Sequence, residues 1–493
     1  MKMVPTTELL MNLAAMLDRF PASRGVDPAV IADRVNRAHR VLIVLDDDPT
    51  GTQSVADLPV LAKWEVADFE WALDTGAPAV YVLTNSRSVD PATAARINRE
   101  VVWAAVAAAR ARGIRPVFAS RSDSTLRGHF PLEPDTIAAS LAALGEPEVD
   151  GVVLVPAFPD AGRVTIGGVH GMVDGDTFTP VGETEFARDS TFGYASSRMS
   201  EWVEEKSEGR IAAADVVEIT LDVIRTGAEA VAEALTTARP GSVFTVDAVN
   251  EDDLRQLALG LELAEAAGRT YIYRVGPPFV RARIGQAPRS PLDVSSRSAD
   301  SDGRAPGGLI VVGSHVGVTS RQLADLTARH PAALVVEIDV PALLDPETGT
   351  SPVDDAVMLV VEGLASGDVI LHSSRTLIRT DDPEESLAIS RTVSDALVAV
   401  VRRTIAERTP HFVIAKGGIT SSDVASRGLS IRRAMVRGSL FPGIVSVWEP
   451  ADGPATGIPY IVFAGNVGTD TTLTEAVEKL SAHARTSVAR DRA

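Results

Sequence analysis

Three acidic residues stand at the end of an apolar run in the segment DDDPTGTQ, residues 46–53. Alternation along an extended chain places Asp46 and Asp48 on one side and Asp47 on the other. Carboxylates at the end of a strand can act as a general base, bind substrate hydroxyl groups or hold Mg²⁺. An acidic turn that caps a helix would explain the same residues without any chemistry.

A second polar segment, SRSDSTLRGHF at residues 120–130, also follows an apolar run. Asp123 and Ser124 supply groups that can bind hydroxyls. The Arg127 guanidinium could form a two-pronged contact with a carboxylate ligand, which this acidic chain would otherwise repel. The alternative is a helix cap with an internal Asp–Arg pair.

A third segment, residues 156–175, places Asp160, Arg163 and His170 among several glycines. The glycine content argues against a helix and is typical of a loop built around a ligand. His170 by itself is more typical of a hydrogen-bonded structural residue than of a catalyst.

Four glycine-containing turns occur in the C-terminal part of the chain, from residue 313 onward: GSHVG at 313–317, KGGITSS at 416–422, LFPG at 440–443 and GNVG at 465–468. Backbone N–H groups exposed at such turns suit phosphate oxygens. Lys416 could neutralise a phosphate, and Thr420, Ser421 and Ser422 could add hydroxyl donors. Glycine also ends ordinary helices and turns, so each segment alone is weak evidence.

Composition excludes several classes of protein. The chain of 493 residues contains no cysteine, which rules out disulfides, thiolate catalysis and Cys-ligated metals. Its formal net charge of −19 disfavours binding to nucleic acids or anionic membranes through a general basic surface. We find neither a GxxxxGK[ST] phosphate loop nor a GxGxxG dinucleotide fingerprint.

These polar segments must be positioned by the apolar runs that precede them. Short β-branched runs alternate with Ala-rich helical stretches, which predicts two α/β domains in series, each with a largely parallel sheet flanked by helices. A Pro-, Ser- and Gly-rich segment separates the halves. We therefore predict an N-terminal domain at 1–285, a linker or long loop at 286–306 and a C-terminal domain at 307–493.

Taken in order, the segments resemble the four-carbon acid sugar kinase family. The resemblance rests on DDPTG (residues 47–51), DSTLRG (123–128) and PAFPDAGR (156–163), and on the four C-terminal turns. It spans roughly residues 40–475. Two segments depart from the family pattern, since Ile419 stands where many members have Glu and FAGNVG replaces KSGNFG.

The resemblance implies an α/β kinase that uses ATP and Mg²⁺ to phosphorylate a four-carbon sugar acid of the threonate, erythronate or oxo-tetronate class. It implies an acid-binding N-terminal domain and a nucleotide-binding C-terminal domain. We predict Asp47 or Asp48 as the catalytic base, with Arg127 and Arg163 holding the substrate carboxylate. The acid-binding residues predicted in this way are Asp46, Thr50, Gly51, Asp123, Ser124, Arg127, Asp160, Arg163 and His170. The predicted ATP-binding residues are Ser314, Lys416, Gly417, Gly418, Thr420, Ser421, Leu440, Phe441, Pro442, Gly443, Gly465, Asn466 and Gly468.

Two other functions fit the residues alone. One is a nucleotide-independent aldolase, dehydratase or metal-dependent isomerase that uses the acidic cluster. The other is a sugar-acid binding protein without catalysis. The sequence lacks a signal-peptide pattern and its longest apolar run, residues 101–109, is too short to span a bilayer. We therefore expect a cytoplasmic protein that can form a homo-oligomer.

Overall fold

A computed structural model describes residues 11–294, 304–345, 351–375 and 383–491. Residues 295–303 of the predicted linker lie outside this set. The chain divides into two compact units. Unit 1 contains the described residues up to Asp47 together with Trp64–Pro288, and unit 2 contains Asp48–Lys63 together with the described residues from Arg289 onward.

The strands follow one another in chain order. They are β1 (Met11–Asn12), β2 (Arg40–Asp46), β3 (Leu58–Leu61), β4 (Ala79–Leu83), β5 (Arg115–Arg121), β6 (Gly151–Val155), β7 (Arg163–Ile166), β8 (Val169–Asp174), β9 (Thr177–Pro180), β10 (Val217–Ile219), β11 (Ser242–Val246), β12 (Tyr271–Val275), β13 (Leu309–Val312), β14 (Leu334–Ile338), β15 (Val369–Ser373), β16 (Val413–Lys416), β17 (Arg433–Phe441), β18 (Ile444–Pro450) and β19 (Tyr460–Phe463).

Helices occupy most of the segments between the strands. They are α1 (Leu13–Leu17), α2 (Pro28–Arg37), α3 (Val66–Asp74), α4 (Pro91–Ala111), α5 (Leu132–Ala143), α6 (Met199–Lys206), α7 (Leu221–Thr226), α8 (Ala228–Thr237), α9 (Glu251–Ala266), α10 (Pro277–Arg283), α11 (Gly317–Arg329), α12 (Val340–Leu344), α13 (Pro352–Leu364), α14 (Pro383–Glu407), α15 (Gly418–Asp423) and α16 (Thr472–Asp491).

The main sheet of unit 1 has the strand order β10-β11-β6-β12-β5-β2-β4, and every neighbouring pair is parallel. Strand β2 is buried along nearly its whole length, as expected for a strand covered on both faces. Helix α4 begins at the Asp90 N-cap, whose side chain accepts a hydrogen bond from the Thr93 backbone N–H. Local capping and buried apolar runs therefore build this parallel sheet as the sequence predicts.

Unit 1 also contains a small antiparallel sheet with the order β1-β9-β8-β7. Strands β7 and β8 lie within residues 156–175, which the sequence predicted to be a loop, so that prediction is wrong for half of the segment. Gly167 and Gly168 adopt φ values of +58° and +77° at the turn between the two strands. The glycines therefore form a tight hairpin turn rather than an open loop.

The sheet of unit 2 has the order β3-β17-β18-β19-β16-β13-β15-β14. The five strands from β19 to β14 are parallel, and β3, β17 and β18 are antiparallel to their neighbours. One hydrophobic core in this unit joins the strands to α11 and α16. The α/β class with largely parallel sheets is confirmed.

Strand β3 reaches unit 2 although the residues on either side of Asp48–Lys63 belong to unit 1. It pairs antiparallel with β17, and Leu58 lies opposite Val436. The chain therefore passes between the units after Asp47, after Lys63 and after Pro288. The acidic segment predicted to do chemistry is divided by the first of these crossings.

Candidate active site

The acidic end of β2 lies beside the ends of β4 and β5, because all three strands are parallel neighbours. Asp46 is 2% exposed and accepts hydrogen bonds from the equally buried Arg121 guanidinium. This pair ties β2 to β5. Asp46 was predicted to bind substrate, and here its carboxylate binds a side chain of the protein.

Asp47 lies in a different environment. It is 2% exposed, and neither carboxylate oxygen has a hydrogen-bond partner among the described residues. Two guanidinium groups lie just beyond hydrogen-bond reach, with Arg121 Nη1 at 3.7 Å and Arg87 Nε at 3.8 Å. Burial raises the pKa of Asp47, and the nearby arginines only partly oppose this effect. A buried, unsatisfied carboxylate of this kind is suited to accept a proton.

A buried network lies next to Asp47. Glu133 accepts hydrogen bonds from Ser86, Ser120 and Arg274. A Cβ atom at Gly128 would lie 2.6 Å from Arg274 Nη2 and 3.1 Å from Asp47 Oδ2. Gly128 of the DSTLRG segment therefore leaves the space that this guanidinium and the Asp47 carboxylate occupy.

Asp123 and Arg127 form an ion pair at 2.6 Å. Burial opposes the ionisation of Asp123, but the guanidinium groups of Arg87 and Arg127 outweigh it and lower its pKa to about 2. Arg127 also lies 3.5 Å from Asp189 and stacks over the Phe186 ring. Its charge is thus largely balanced by side chains of the protein itself.

Arg163 differs from Arg127 in having no carboxylate within ion-pair distance among the described residues. Its Nε atom is buried and unpartnered, and burial lowers its pKa. Electrostatic interactions with Asp123 and Arg127 place it in the same neighbourhood. A half-buried cation without an anion is suited to bind one.

His170 and Asp160 have partners within the fold. The His170 ring is fully buried between Thr165 Oγ1, at 2.9 Å, and the Ser124 carbonyl oxygen, at 2.8 Å. Burial lowers its pKa to about 4, so the ring is neutral at physiological pH. Asp160 is paired with Arg281 at 3.0 Å. The His170 ring therefore connects the β7–β8 hairpin to the segment that contains Ser124.

Asp48, Thr50 and Gly51 belong to unit 2 rather than to the unit that contains Asp47. The Asp48 side chain caps the short 3₁₀ helix Pro49–Ser54 by accepting hydrogen bonds from the Thr50 N–H and hydroxyl, at 2.9 and 2.5 Å. Asp48 Oδ2 lies 3.3 Å from the position of a Cβ at Gly418. These three residues therefore accompany the predicted nucleotide-binding turns.

The turns after β13, β16 and β19 meet because these strands are parallel neighbours. A Cβ at Gly465 would lie 2.6 Å from Ser314 Oγ, and one at Gly417 would lie 3.2 Å from Ser314 Cβ. A Cβ at Gly313 would lie 2.3 Å from Thr420 Oγ1. The turns that contain Gly417 and Gly465 thus pack against Ser314, which lies in a third predicted turn. This close packing is possible because the glycines have no side chains.

The β17–β18 turn brings Pro442 and Gly443 to the same edge, because Ser446 of β18 lies opposite Val462 near the end of β19. The Lys479 ammonium donates to the Leu440 carbonyl at 3.0 Å. The other predicted residues here lie in these elements: Phe441 at the end of β17, Gly418 and Ser421 in α15, and Asn466 and Gly468 in the turn after β19.

Lys416 is fully buried, and its ammonium group donates to the Ala464 carbonyl at 2.6 Å. It also lies 3.8 Å from the centre of the Phe463 ring. Burial lowers its pKa to about 7. The lysine therefore holds the turn that contains Gly465, and its donors face protein carbonyls.

Sequence reasoning missed Arg87, Arg121, Glu133 and Arg274. Arg121 lies inside the polar segment 120–130, and Arg87 follows the β4 run just as the acids follow β2. Arg274 offered a further signal, since it interrupts the apolar strand YIYRV. A charged residue within a buried strand needs a partner, and here that partner is Glu133.

Comparison with known families agrees with this two-part arrangement. The profile of a sugar-binding N-terminal domain matches residues 42–283, and that of a nucleotide-binding C-terminal domain matches residues 309–473. The chain belongs to the four-carbon acid sugar kinase family. The family is a group of carbohydrate kinases, so the predicted enzyme class is confirmed.

Two characterised relatives cover most of the chain. The D-erythronate kinase of Heliobacterium modesticaldum is 27% identical over 388 residues, which are 74% of this chain and 80% of that protein. The D-threonate kinase of Salmonella typhimurium strain LT2 is 26% identical over 456 residues, which are 88% of this chain and 97% of that protein.

Two solved structures share the fold. One, from Salmonella typhimurium LT2 and provisionally described as a tRNA synthase, has a TM-score of 0.63 at 18% identity and covers 88% of this chain and 98% of its own. The other, from Haemophilus influenzae, has a TM-score of 0.58 at 17% identity and covers 90% and 99%. Among the described residues, no helix combines the length and hydrophobicity that a membrane span requires.

Proposed function

We propose that this protein transfers the γ-phosphoryl group of ATP to a terminal hydroxyl of a four-carbon sugar acid of the threonate, erythronate or oxo-tetronate class. The observation that carries the proposal is the Asp47 carboxylate, which is buried, has a raised pKa and lacks a hydrogen-bond partner in the described part of the chain. The D-erythronate and D-threonate kinase relatives support the choice of substrate.

Unit 1 would bind the acid. Arg163, a cation without a carboxylate partner in the described chain, is the natural contact for the substrate carboxylate. Arg127 would assist, although Asp123 and Asp189 already balance much of its charge. Asp123, kept ionised by its arginine neighbours, would accept hydrogen bonds from substrate hydroxyls.

Unit 2 would bind ATP through the turns that close on Ser314. Backbone N–H groups at Gly417 and Gly465 would face phosphate oxygens. No group of three His, Asp or Glu side chains suitable for a metal occurs in the described ranges. The chain therefore fits a Mg²⁺ ion held chiefly by the triphosphate and water, with Asp48 near Gly418 as the carboxylate contributed by the protein. Such an ion would neutralise phosphate charge.

The reaction needs one proton acceptor. The substrate hydroxyl oxygen attacks the γ-phosphorus, the bond from that phosphorus to the β–γ bridging oxygen breaks, and ADP leaves. The hydroxyl proton passes to the Asp47 carboxylate. We favour Asp47 over Asp48 as this base, because Asp48 already accepts two hydrogen bonds from Thr50.

An ADP-release assay with Mg²⁺ and a panel of four-carbon acids tests the proposal. We expect release that depends on one or a few acids of the threonate, erythronate or oxo-tetronate class. Conversion of an acid without ATP would instead support an aldolase, dehydratase or isomerase. Tight binding of an acid with no turnover under any condition would support a binding protein. Cytoplasmic location and homo-oligomer formation stay predictions.

A further inference from the structure

Arg375 is a positively charged residue that the sequence did not single out. It follows β15, which is the parallel neighbour of β13, with Val312 opposite His372. Because the two strands end together, Arg375 lies next to the first residues after β13. Its Nη1 atom donates to the Ser314 carbonyl oxygen at 2.8 Å.

The partners of Arg375 are all neutral. Besides the Ser314 carbonyl, its guanidinium donates to the Ser320 hydroxyl at 2.7 Å, and its Nε atom is buried without a partner. No carboxylate of the described chain lies within ion-pair distance, and Glu337 acts on it only from farther away. Burial accordingly lowers its pKa. A half-buried guanidinium without an anion is costly in isolation and is stabilised when an anion binds.

The anion can be identified from the surroundings of Ser314. This residue is the one on which Gly417 and Gly465 close, so Arg375 borders the cluster of turns assigned above to ATP. Lys416 cannot provide the same charge there, since its ammonium group donates to the Ala464 carbonyl. Guanidinium groups match phosphate oxygens in a two-pronged geometry that an ammonium group cannot reproduce.

We propose that Arg375, and not Lys416, is the side-chain cation of unit 2 that binds the phosphate chain of ATP. This inference rests on the proposed function and adds a phosphate-binding residue to it. It predicts that the affinity for nucleotides depends on Arg375 in proportion to their phosphate charge.

Calorimetric titration of the full-length protein with ATP, ADP and adenosine, without acid, tests this assignment. In Arg375→Gln we expect the Kd for ATP to rise about 10- to 100-fold, as for the loss of a charge-assisted contact. The Kd for adenosine should change less than about twofold. Arg321→Gln is the matched control, because Arg321 lies in α11 and is paired with Asp470 at the surface. It should leave all three affinities unchanged.

Arg375→Lys keeps the charge and serves if the glutamine variant unfolds. It should bind ATP with an affinity between those of the wild type and Arg375→Gln. Its ATP binding should weaken more steeply with added salt than that of the wild type. If folded Arg375→Gln or Arg375→Lys bound ATP as the wild type does, the inference would be wrong while the proposed function would stand. If the wild-type protein bound no ATP and released no ADP, the proposed function itself would fail.

Discussion

The Asp47 carboxylate lies among three guanidinium groups, and neither of its oxygens hydrogen-bonds to a described residue. Arg87 and Arg121 lie just beyond hydrogen-bond reach, and Arg274 is occupied by Glu133. The arginines favour the charged carboxylate, whereas burial disfavours it more strongly, so the pKa is raised. The side chain can therefore take up a proton more readily than an exposed aspartate.

We expect Asp47→Asn to lower kcat by about 10²- to 10⁴-fold, because the hydroxyl proton loses its acceptor. Steady-state kinetics with the best acid substrate measure this. Asp48→Asn is the comparison, and at saturating Mg²⁺ it should lower kcat much less, since Asp48 caps the 3₁₀ helix Pro49–Ser54 and is assigned to the ion rather than to the proton. Near-normal turnover in Asp47→Asn would contradict the assignment of the base.

The pH profile provides a second measurement of the same base. Activity should be lost as the pH falls through the raised pKa of Asp47, because the protonated form cannot accept a proton. Arg87→Gln removes a cation that lowers this pKa. The acidic limb of kcat/KM should therefore shift to higher pH in Arg87→Gln, and an unshifted limb would argue for another base.

Arg163→Gln should raise the KM for the acid about 10- to 100-fold while leaving the KM for ATP unchanged, because the substrate carboxylate loses its cation. A polyol of the same length without the carboxylate should show equally weak activity with the wild type and the variant. Arg188→Gln, at an exposed position of unit 1, is the control. Equal losses for acid and polyol would indicate a structural role for Arg163.

At the residue scale, the sequence predicted the side chains that follow recognisable strands. Asp47, Asp123 and Arg163 could be proposed from the sequence because their segments carry dense polar motifs. The charged residues that act on the Asp47 pKa could not be proposed in this way, since Glu133 lies in helix α5 and Arg274 lies in strand β12. Long-range pairing of these two could be seen only after folding.

Asp247 fixes the turn of the β7–β8 hairpin. Its carboxylate accepts hydrogen bonds from the backbone N–H groups of Gly167, Gly168 and Leu221. Burial nevertheless raises its pKa to about 6, from an ordinary value of 3.8, against the effect of these donors. The hairpin that presents Arg163 is therefore held by a carboxylate that titrates in an accessible range.

The stability of the protein should reflect this titration. Because the pKa of Asp247 is higher in the folded than in the unfolded chain, its stabilising contribution is full below about pH 4 and is lost as the pH rises through about 6. Asp247→Asn cannot ionise. The free energy of unfolding of the wild type relative to Asp247→Asn should thus fall by up to about 3 kcal/mol between pH 4 and pH 7.

Chemical denaturation of both proteins across this pH range makes the comparison. The Asp247→Asn substitution lowers the free energy of unfolding by an amount that does not vary with pH, since its amide NH₂ faces backbone donors. The test is therefore the slope with pH of the difference in free energy of unfolding between the two proteins. A difference that stays constant with pH would contradict the raised pKa of Asp247.

The turns around Ser314 depend on glycine. Gly417 has a φ of +131°, and a Cβ there would lie 2.9 Å from Thr420 Oγ1. Gly417→Ala therefore strains the turn by about 1–2 kcal/mol, and we expect the KM for ATP to rise roughly 10-fold with the KM for the acid unchanged. In the control, Gly367→Ala, the nearest atom to the new Cβ would be 4.0 Å away. Equal ATP kinetics in the two variants would contradict a nucleotide-binding role for this turn.

At the element scale, continuous apolar runs predicted the parallel strands well, because strands buried on both faces need no alternation. The runs at β2, β4, β5, β13 and β16 are examples. The β7–β8 hairpin was missed because its glycines read as a loop. Strand β3 was missed as a member of unit 2, because nothing local to residues 58–61 indicates a partner near residue 433.

At the scale of the whole molecule, the net charge of −19 opposes the binding of two anionic substrates. Each unit contains an arginine that has no carboxylate partner in the described chain, Arg163 in unit 1 and Arg375 in unit 2, and the proposed binding roles of these residues would counter this repulsion locally. Most other arginines near these sites are paired with carboxylates, as Arg121 and Arg127 illustrate.

Unit 2 needs residues 48–63. Strand β3 pairs with β17, and the Trp448 indole N–H donates to Thr52 Oγ1 at 2.9 Å. We expect a fragment of residues 289–493 to unfold at a lower temperature than unit 2 in the full chain, and a peptide of residues 48–63 to raise that temperature. A peptide with Leu58 and Val60 both changed to Asp should have no effect, since both side chains are buried. Stabilisation by both peptides would indicate non-specific binding.

The same crossing constrains how the protein is made. Thr52 leaves the ribosome early, whereas its partner Trp448 lies 396 residues further along the chain. The segment that carries β3 is rich in apolar side chains, and it must therefore wait for its partner strand β17 until translation is nearly complete, although the chain around it can already fold. Delayed pairing of this kind leaves an aggregation-prone apolar strand exposed. Slow elongation or a shortage of chaperones should consequently increase aggregation of nascent chains that end before residue 433.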